Sequence, residues 1–196
     1  MSLTLKTGLT APKDFIEDVF EIDKYTYSPE LCGLKENLYN RYNRCPDSFL
    51  LLYDNEDLIG YINFFPVGDA LFAQLNDITN YKLRDDDILP QELNDWQKDK
   101  PNNIFIISIV ILSKYRGSEA IIRLGNSFLE FLREKEANGY KINSISGTAV
   151  SDKGKKFLKR FRGSFVKFTE DNYEYYITKD ENIRKLIKDG ILLKNI

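Results

Sequence analysis

A nearly unbroken apolar run, "IFIISIVIL" at 104–112, constrains this chain more than any other stretch. Its one polar residue is Ser108, and it lacks the alternation of a strand with one wet face. A run of this kind reads as a central strand covered on both sides, so the fold must place layers above and below a sheet. It is about half as long as a membrane-spanning helix requires. The stretch that follows, "SKYRGSEAIIRL" from Ser113 to Leu124, opens an amphipathic pattern. Ile121, Leu124, Phe128, Phe131 and Leu132 recur at helical spacing over 118–139, and Gly139 supplies a C-cap residue. "YKINSISGTAV" (140–150) returns as a strand. A strand–helix–strand unit over 102–150 demands a right-handed parallel crossover.

The flanking segments add antiparallel pairs. "SLTLKTG" (2–8) alternates as a first strand, and 12–27 places Phe15, Val19 and Ile22 on one helical face behind Pro12. A second helix is predicted over 28–46, with Ser28 as N-cap and Leu31, Leu38 and Tyr42 on one side. Hairpins are predicted over 48–68, turning at 54–57, and over 164–180, turning at 170–172. Residues 69–101 read as a long, partly helical insertion before the central strand, and 84–100 carries six acids against three bases. Residues 151–163 form a short basic helix with Phe157, Leu158 and Phe161 inward, and 181–196 a C-terminal helix. The predicted fold is α/β (α+β): a mixed, twisted sheet of about seven strands flanked by helices. With no repeat and no Gly/Ser linker, residues 1–196 read as a single domain.

The absence of histidine narrows the chemistry. Ser–His–Asp and Cys–His machinery and His-ligated metal sites are excluded, so protons must move through carboxylates, Tyr, Cys, Lys, water or the substrate. Cys32 and Cys45 form no CxxC pair and no zinc pattern, so no metal is expected and both thiols read as reduced. A net charge of −2, with no aromatic–basic stacking motif, sets aside nucleic acid and anionic membranes as partners. "MSLTLKTG" carries no signal-peptide pattern, which makes the cytoplasm the expected compartment.

Over roughly residues 2–180 this element order resembles the GNAT superfamily of acyl-coenzyme-A-dependent N-acyltransferases. Motif-level likeness lies in 104–124 and 140–165. In that family a central strand is followed by Q/R-x-x-G-x-G/A at a helix start, where unpaired N–H groups and the positive dipole end hold pyrophosphate. Arg116 matches the first position, with Tyr115 before it; Glu119 stands at the glycine and Ile121 at the final Gly/Ala. Without a ligand the same residues make an ordinary helix start, with Ser118 as N-cap and Glu119 facing the dipole. "AVSDKGKKFLKRFRGSF" is similar to the family's N-x-x-A-x-x-L-Y-x-K-x-G-F, with Ser151 at the Asn, Leu158 at the Tyr and Arg162 at the glycine.

The resemblance implies acetyl-coenzyme A, or coenzyme A, as co-substrate. The pantetheine arm would pair with Ile109, Val110 and Ile111. The pyrophosphate would lie on Tyr115, Arg116, Gly117, Ser118, Glu119, Ala120 and Ile121, with Ser151 nearby. A main-chain N–H near Ile109 would polarise the thioester carbonyl. The family's tyrosine acid is replaced by Leu158, and its strand glutamate by Ile107, followed by Ser108. Tyr61, Ser151, Tyr175 and Tyr176 are the spare hydroxyls, of which Ser151 and Tyr175 are the catalytic candidates. The basic residues of 152–167 would meet coenzyme A phosphates or form a solvated helix face. The implied reaction is transfer of an acyl group, typically acetyl, to a primary amine of a small molecule or peptide, by direct attack on the thioester. The alternative is a non-catalytic acyl-CoA-binding or interaction module with a degenerate site. Monomer and homodimer both remain open.

Overall fold

The apolar run forms the central strand of a seven-stranded sheet in the computed structural model, which describes residues 3–79, 88–116 and 119–189. In chain order the elements are β1 (Leu3–Thr7), α1 (Phe15–Thr26), α2 (Lys35–Arg44), β2 (Phe49–Asp54), β3 (Asp57–Val67) and α3 (Asp69–Asn76). Then come β4 (Pro101–Ile111), α4 (Ala120–Ala137), β5 (Lys141–Ala149), α5 (Asp152–Arg160), β6 (Ser164–Phe168), β7 (Glu174–Lys179) and α6 (Asp180–Asp189). The strand order is β1-β2-β3-β4-β5-β7-β6, and β4–β5 is the parallel pair. All the other pairs are antiparallel, so the mixed sheet expected from the hairpins and the crossover is present.

Both faces of β4 are covered, as its lack of alternation requires. On one side Ile104 and Ile106 join Phe64, Phe128, Leu132, Phe157 and Ile183, which seats α4, α5 and α6. On the other, Val110 joins Phe15, Val19, Leu38 and Tyr61 beneath α1 and α2. Phe105 joins Phe65, Leu71 and Leu75 beneath α3.

The second helix starts at Lys35 rather than Ser28. The Ser28 carbonyl instead accepts the N–H groups of Leu31 and Cys32 in a separate turn. Gly33 disfavours continuing that turn into a helix, and Leu34 is extended at φ −71°, ψ 142°. Among its described residues the insertion holds α3, a 3-10 turn at Pro90–Glu92 and, at Leu93, a bridge to Val67 of β3. The predicted C-terminal helix is seen as Asp180–Asp189; its remainder, 190–196, lies outside the described residues.

Helices α4 and α5 end in the same motif. In α4 the N–H of Gly139 reaches the Glu136 carbonyl and that of Tyr140 the Lys135 carbonyl. In α5 Arg162 and Gly163 repeat this with Lys159 and Leu158. The motif needs a left-handed residue, which is Gly139 at φ 88° in α4 and Arg162 at φ 59° in α5. Arg162 therefore holds a left-handed conformation that favours glycine.

Candidate active site

A one-residue bulge in β4 organises the site. Asn63 of β3 pairs with Ser108, and the next residue, Phe64, pairs with Ile106, so Ile107 is the extra residue. Ile107 and Ser108 consequently both turn toward the α1–α3 side: Ile107 packs beside Phe105, and Ser108 meets Tyr27 and Tyr61. Pairing of β4 with β5 ends at Ile106–Gly147. Beyond it β4 continues to Ile111 beside β3 alone, and β5 continues to Ala149 beside β7 alone. The two parallel strands thus split at their C-terminal ends. Gly147 closes the apex, where an added Cβ would lie 3.1 Å from the Ile106 carbonyl oxygen. Ile107, Ser108 and Ile109 are the half-exposed window in an otherwise buried strand interior.

Main-chain direction follows from the register. The Leu112 N–H donates to the Ile59 carbonyl at 2.9 Å, so alternation turns Val110 toward β3 and Ile109 and Ile111 into the split. Arg116 Nε donates to the Ile111 carbonyl oxygen at 2.9 Å. The Tyr115 phenol donates to Asp54 Oδ2 at 3.0 Å. Glu119 is helical at φ −62°, ψ −13° and makes no side-chain cap bond. Its carboxylate is 79% exposed and lies 3.7 Å from Arg123 Nε, one turn along the helix. The negative charge is therefore drawn toward a guanidinium rather than held over the turn. Ala120 is buried and Ile121 packs on the main core. Gly117 and Ser118 lie outside the described residues.

Beside the split lies a polar chain. Asp23 falls on the buried stripe of α1, four residues after Val19 and eight after Phe15, and is 8% exposed. Tyr61, fully buried on β3, donates its phenolic proton to Asp23 Oδ1. Burial and the neighbouring Asp23 charge hold the Tyr61 phenol well above its usual pKa, so it stays protonated. Ser108 Oγ lies 2.9 Å from Tyr61 Oη and 2.8 Å from Tyr27 Oη.

The other sequence candidates are placed as follows. Ser151 is the N-cap of α5, its Oγ accepting the Gly154 N–H at 3.1 Å. Tyr175 faces the α3 side, fully buried, and its phenol makes no full hydrogen bond, only an approach to Ser146. Burial pushes its pKa up. Tyr176 packs against Leu158 and Ala149, and its phenol donates to Glu174, which is ion-paired with Lys155. Loss of hydration and the Glu174 carboxylate push Tyr176 up to about 12. Asp23 and Tyr27 were not among the sequence candidates. The readable signal was a carboxylate at a stripe position of an amphipathic helix. Among the described residues, no group of three or more His, Cys, Asp or Glu is placed to hold a metal, and no helix is long and apolar enough to cross a membrane.

No family model matches the chain, and no curated protein matches it by sequence. Solved structures do match its shape. The loading GNATL domain of CurA from Lyngbya majuscula aligns with a TM-score of 0.64 at 13% identity, over 92% of this chain and 98% of that one. Ard1 from Thermoplasma volcanium aligns at 0.59 and 14% identity, over 90% and 96%. Arabidopsis thaliana Naa50, solved with the bisubstrate analogue CoA-Ac-MVNAL, aligns at 0.58 and 12% identity, over 90% and 97%. The likeness is one of fold: this chain has the GNAT fold.

Proposed function

We propose that this chain is an acyl-coenzyme-A-dependent N-acyltransferase that transfers an acyl group, typically acetyl, to a primary amine. The observation that carries the reading is the split between β4 and β5, with a half-exposed window at Ile107–Ile109 in the centre of the sheet. A split of this kind offers a strand edge to a ligand that carries its own amides, as the pantetheine arm does. Ile109 and Ile111 are turned toward that edge. The Ile109 N–H would polarise the thioester carbonyl, which gains negative charge as the tetrahedral intermediate forms. The amine would arrive from the α1–α3 side, where Ser108 and Tyr27 reach the window. Glu119, drawn toward Arg123, leaves the start of α4 compatible with a pyrophosphate on its N–H groups. Leu158 has no proton to give, and a thiolate is a fair enough leaving group to depart without one. The bisubstrate analogue in Naa50 joins coenzyme A to a peptide, which supports peptide amines as one acceptor class to try.

Calorimetric titration with acetyl-coenzyme A tests the reading, followed by thiol release in an amine panel. Binding at micromolar ligand is expected, and Ile109→Pro should abolish it with the denaturation midpoint little changed. That substitution deletes an N–H aimed into the split and spares the β3 pairing. No heat at millimolar ligand would overturn the proposal. Heat without thiol release from any amine would leave a non-catalytic acyl-CoA-binding module.

A further inference from the structure

We infer that the acceptor side of the split has a polar half and an apolar half, and that the apolar half, built on Ile107, Thr148 and Phe72, selects primary amines that carry a bulky hydrocarbon group close to the nitrogen. The inference rests on the transferase reading and adds to it a substrate class.

The division begins at the β4 bulge, whose two residues face one side of the sheet but meet different neighbours. Ser108 turns its hydroxyl to Tyr61 at 2.9 Å and to Tyr27 at 2.8 Å, toward α1. Ile107, one residue nearer the apex, packs on the cluster of Leu71, Phe105 and Tyr175 beneath α3. The register carries this second half across the sheet. Ile106 pairs with Gly147, so Thr148 is the first residue of β5 past the apex, and Thr148 pairs in turn with Tyr175 of β7. Thr148 is half-exposed, yet its Oγ1 is shielded from solvent and has no hydrogen-bond partner. What its side chain shows outward is therefore carbon. Tyr175 encloses its hydroxyl in the same way. Phe72 of α3 and Val166 of β6, both half-buried, pack on the same cluster.

An amine held at the window would thus meet hydroxyls on its α1 flank and hydrocarbon on its α3 flank. A substituent laid on Ile107 and Thr148 removes apolar surface from water on both partners, a gain that a hydrogen atom cannot reproduce. A polar substituent would give up its water there without a hydrogen bond in return. Two buried cations border this half. Lys167 Nζ is held by the Gln74 and Asp77 carbonyls at 3.3 and 2.6 Å, and Arg41 lies over the Phe65 ring at 5.8 Å. A carboxylate-bearing acceptor is the probe that would reveal a substrate role for either of them. The bond changes are those of the proposed transfer: an N–C bond forms, the C–S bond breaks, and the sulfur leaves with its electron pair and takes a proton from the amine.

The test follows thiol release with saturating acetyl-coenzyme A at about pH 9, where α-amines are mostly neutral and alike in reactivity. The acceptors are the α-amides of glycine, leucine, phenylalanine, serine, aspartate and lysine. Leucinamide and phenylalaninamide should exceed glycinamide in kcat/KM by about tenfold or more, with the serine, aspartate and lysine amides no better than glycinamide. Ile107→Thr keeps the branch at Cβ but puts a hydroxyl in the floor. Phe72→Ala shortens the opposite wall at a half-buried position, and it carries the test should the strand variant not fold. Each should cut the leucinamide-to-glycinamide ratio of kcat/KM by about fivefold or more. A purely structural role would lower both acceptors together, so an unchanged ratio in folded variants overturns the assignment. A flat panel, or a preference for the serine, aspartate or lysine amide, overturns the inference and leaves the transferase reading standing. No thiol release by the unsubstituted protein from any amine overturns the transferase reading, and the acceptor class with it.

Discussion

Replacing Lys135 by methionine should loosen the insertion that separates β3 from β4. Lys135 Nζ lies 2.5 Å from Asp47 Oδ2, with the two side chains 16% and 18% exposed. It also sits over three rings, 4.6 Å from the centroid of Trp96 and 5.1 Å from those of Phe131 and Tyr140. Trp96 belongs to the insertion and donates its Nε1–H to Asp47 Oδ1 at 3.0 Å, and Cys45 approaches the same oxygen at 3.3 Å. One carboxylate therefore ties together the insertion, α4 and the start of β2. A hydrogen bond to a charged group contributes about 1.5–3 kcal/mol, and a partly desolvated cation over aromatic faces about 0.5–2 kcal/mol. Methionine keeps most of the apolar stem, so packing changes little and the expected loss is about 3 kcal/mol. For a chain of this length that is a fall of about 6–12 °C in Tm. Urea denaturation gives the global loss, and hydrogen exchange over 88–100 shows whether this segment opens first. Amine KM should rise, with acetyl-coenzyme A affinity unchanged. A loss below about 1 kcal/mol, or exchange unaltered around Trp96, would refute the account.

Two further outcomes follow from local geometry. At Arg162, left-handed at φ 59°, glycine should leave stability unchanged or raise it by up to about 1 kcal/mol, after loss of the exposed pair with Asp189 is counted; valine should lower it by about 1–2 kcal/mol, and equal midpoints for the two variants in urea would contradict the argument. Burial and the Asp47 carboxylate hold the Cys45 thiol protonated, so iodoacetamide near pH 8 should modify half-buried Cys32 in the native protein and Cys45 only after denaturation, by peptide mass analysis.

The layers were legible because hydrophobic periodicity reports what a segment faces. The unbroken 104–112 run gave the doubly covered strand, and the 3.6-residue spacing after Leu124 gave α4. The boundary of α2 was misplaced because Ser28 and Pro29 open a turn as readily as a helix, and Gly33 decides against the helix. The site was less legible, since it is a set of contacts between distant segments. In the sequence Ser108 simply follows the residue at the family's glutamate position, and only the fold brings Tyr27, 81 positions away, and Tyr61 within reach of it. Tyr175 looked available in the sequence because a strand tyrosine carries no mark of whether its hydroxyl ends in a cleft or in packing.

The extra residue in β4 acts as a phase shift. Side chains from Phe105 to Ile107 keep one in–out rhythm, and those from Ser108 to Ile111 keep the opposite one. Regular alternation through the same residues, without the bulge, would send the Ser108 hydroxyl toward the α4 layer and an isoleucine toward Asp23. In most of this sheet the loops can absorb a length change at the ends of strands. At this one position the irregular pairing is itself part of the site, because a regular strand of the same residues would exchange a hydroxyl for a hydrocarbon.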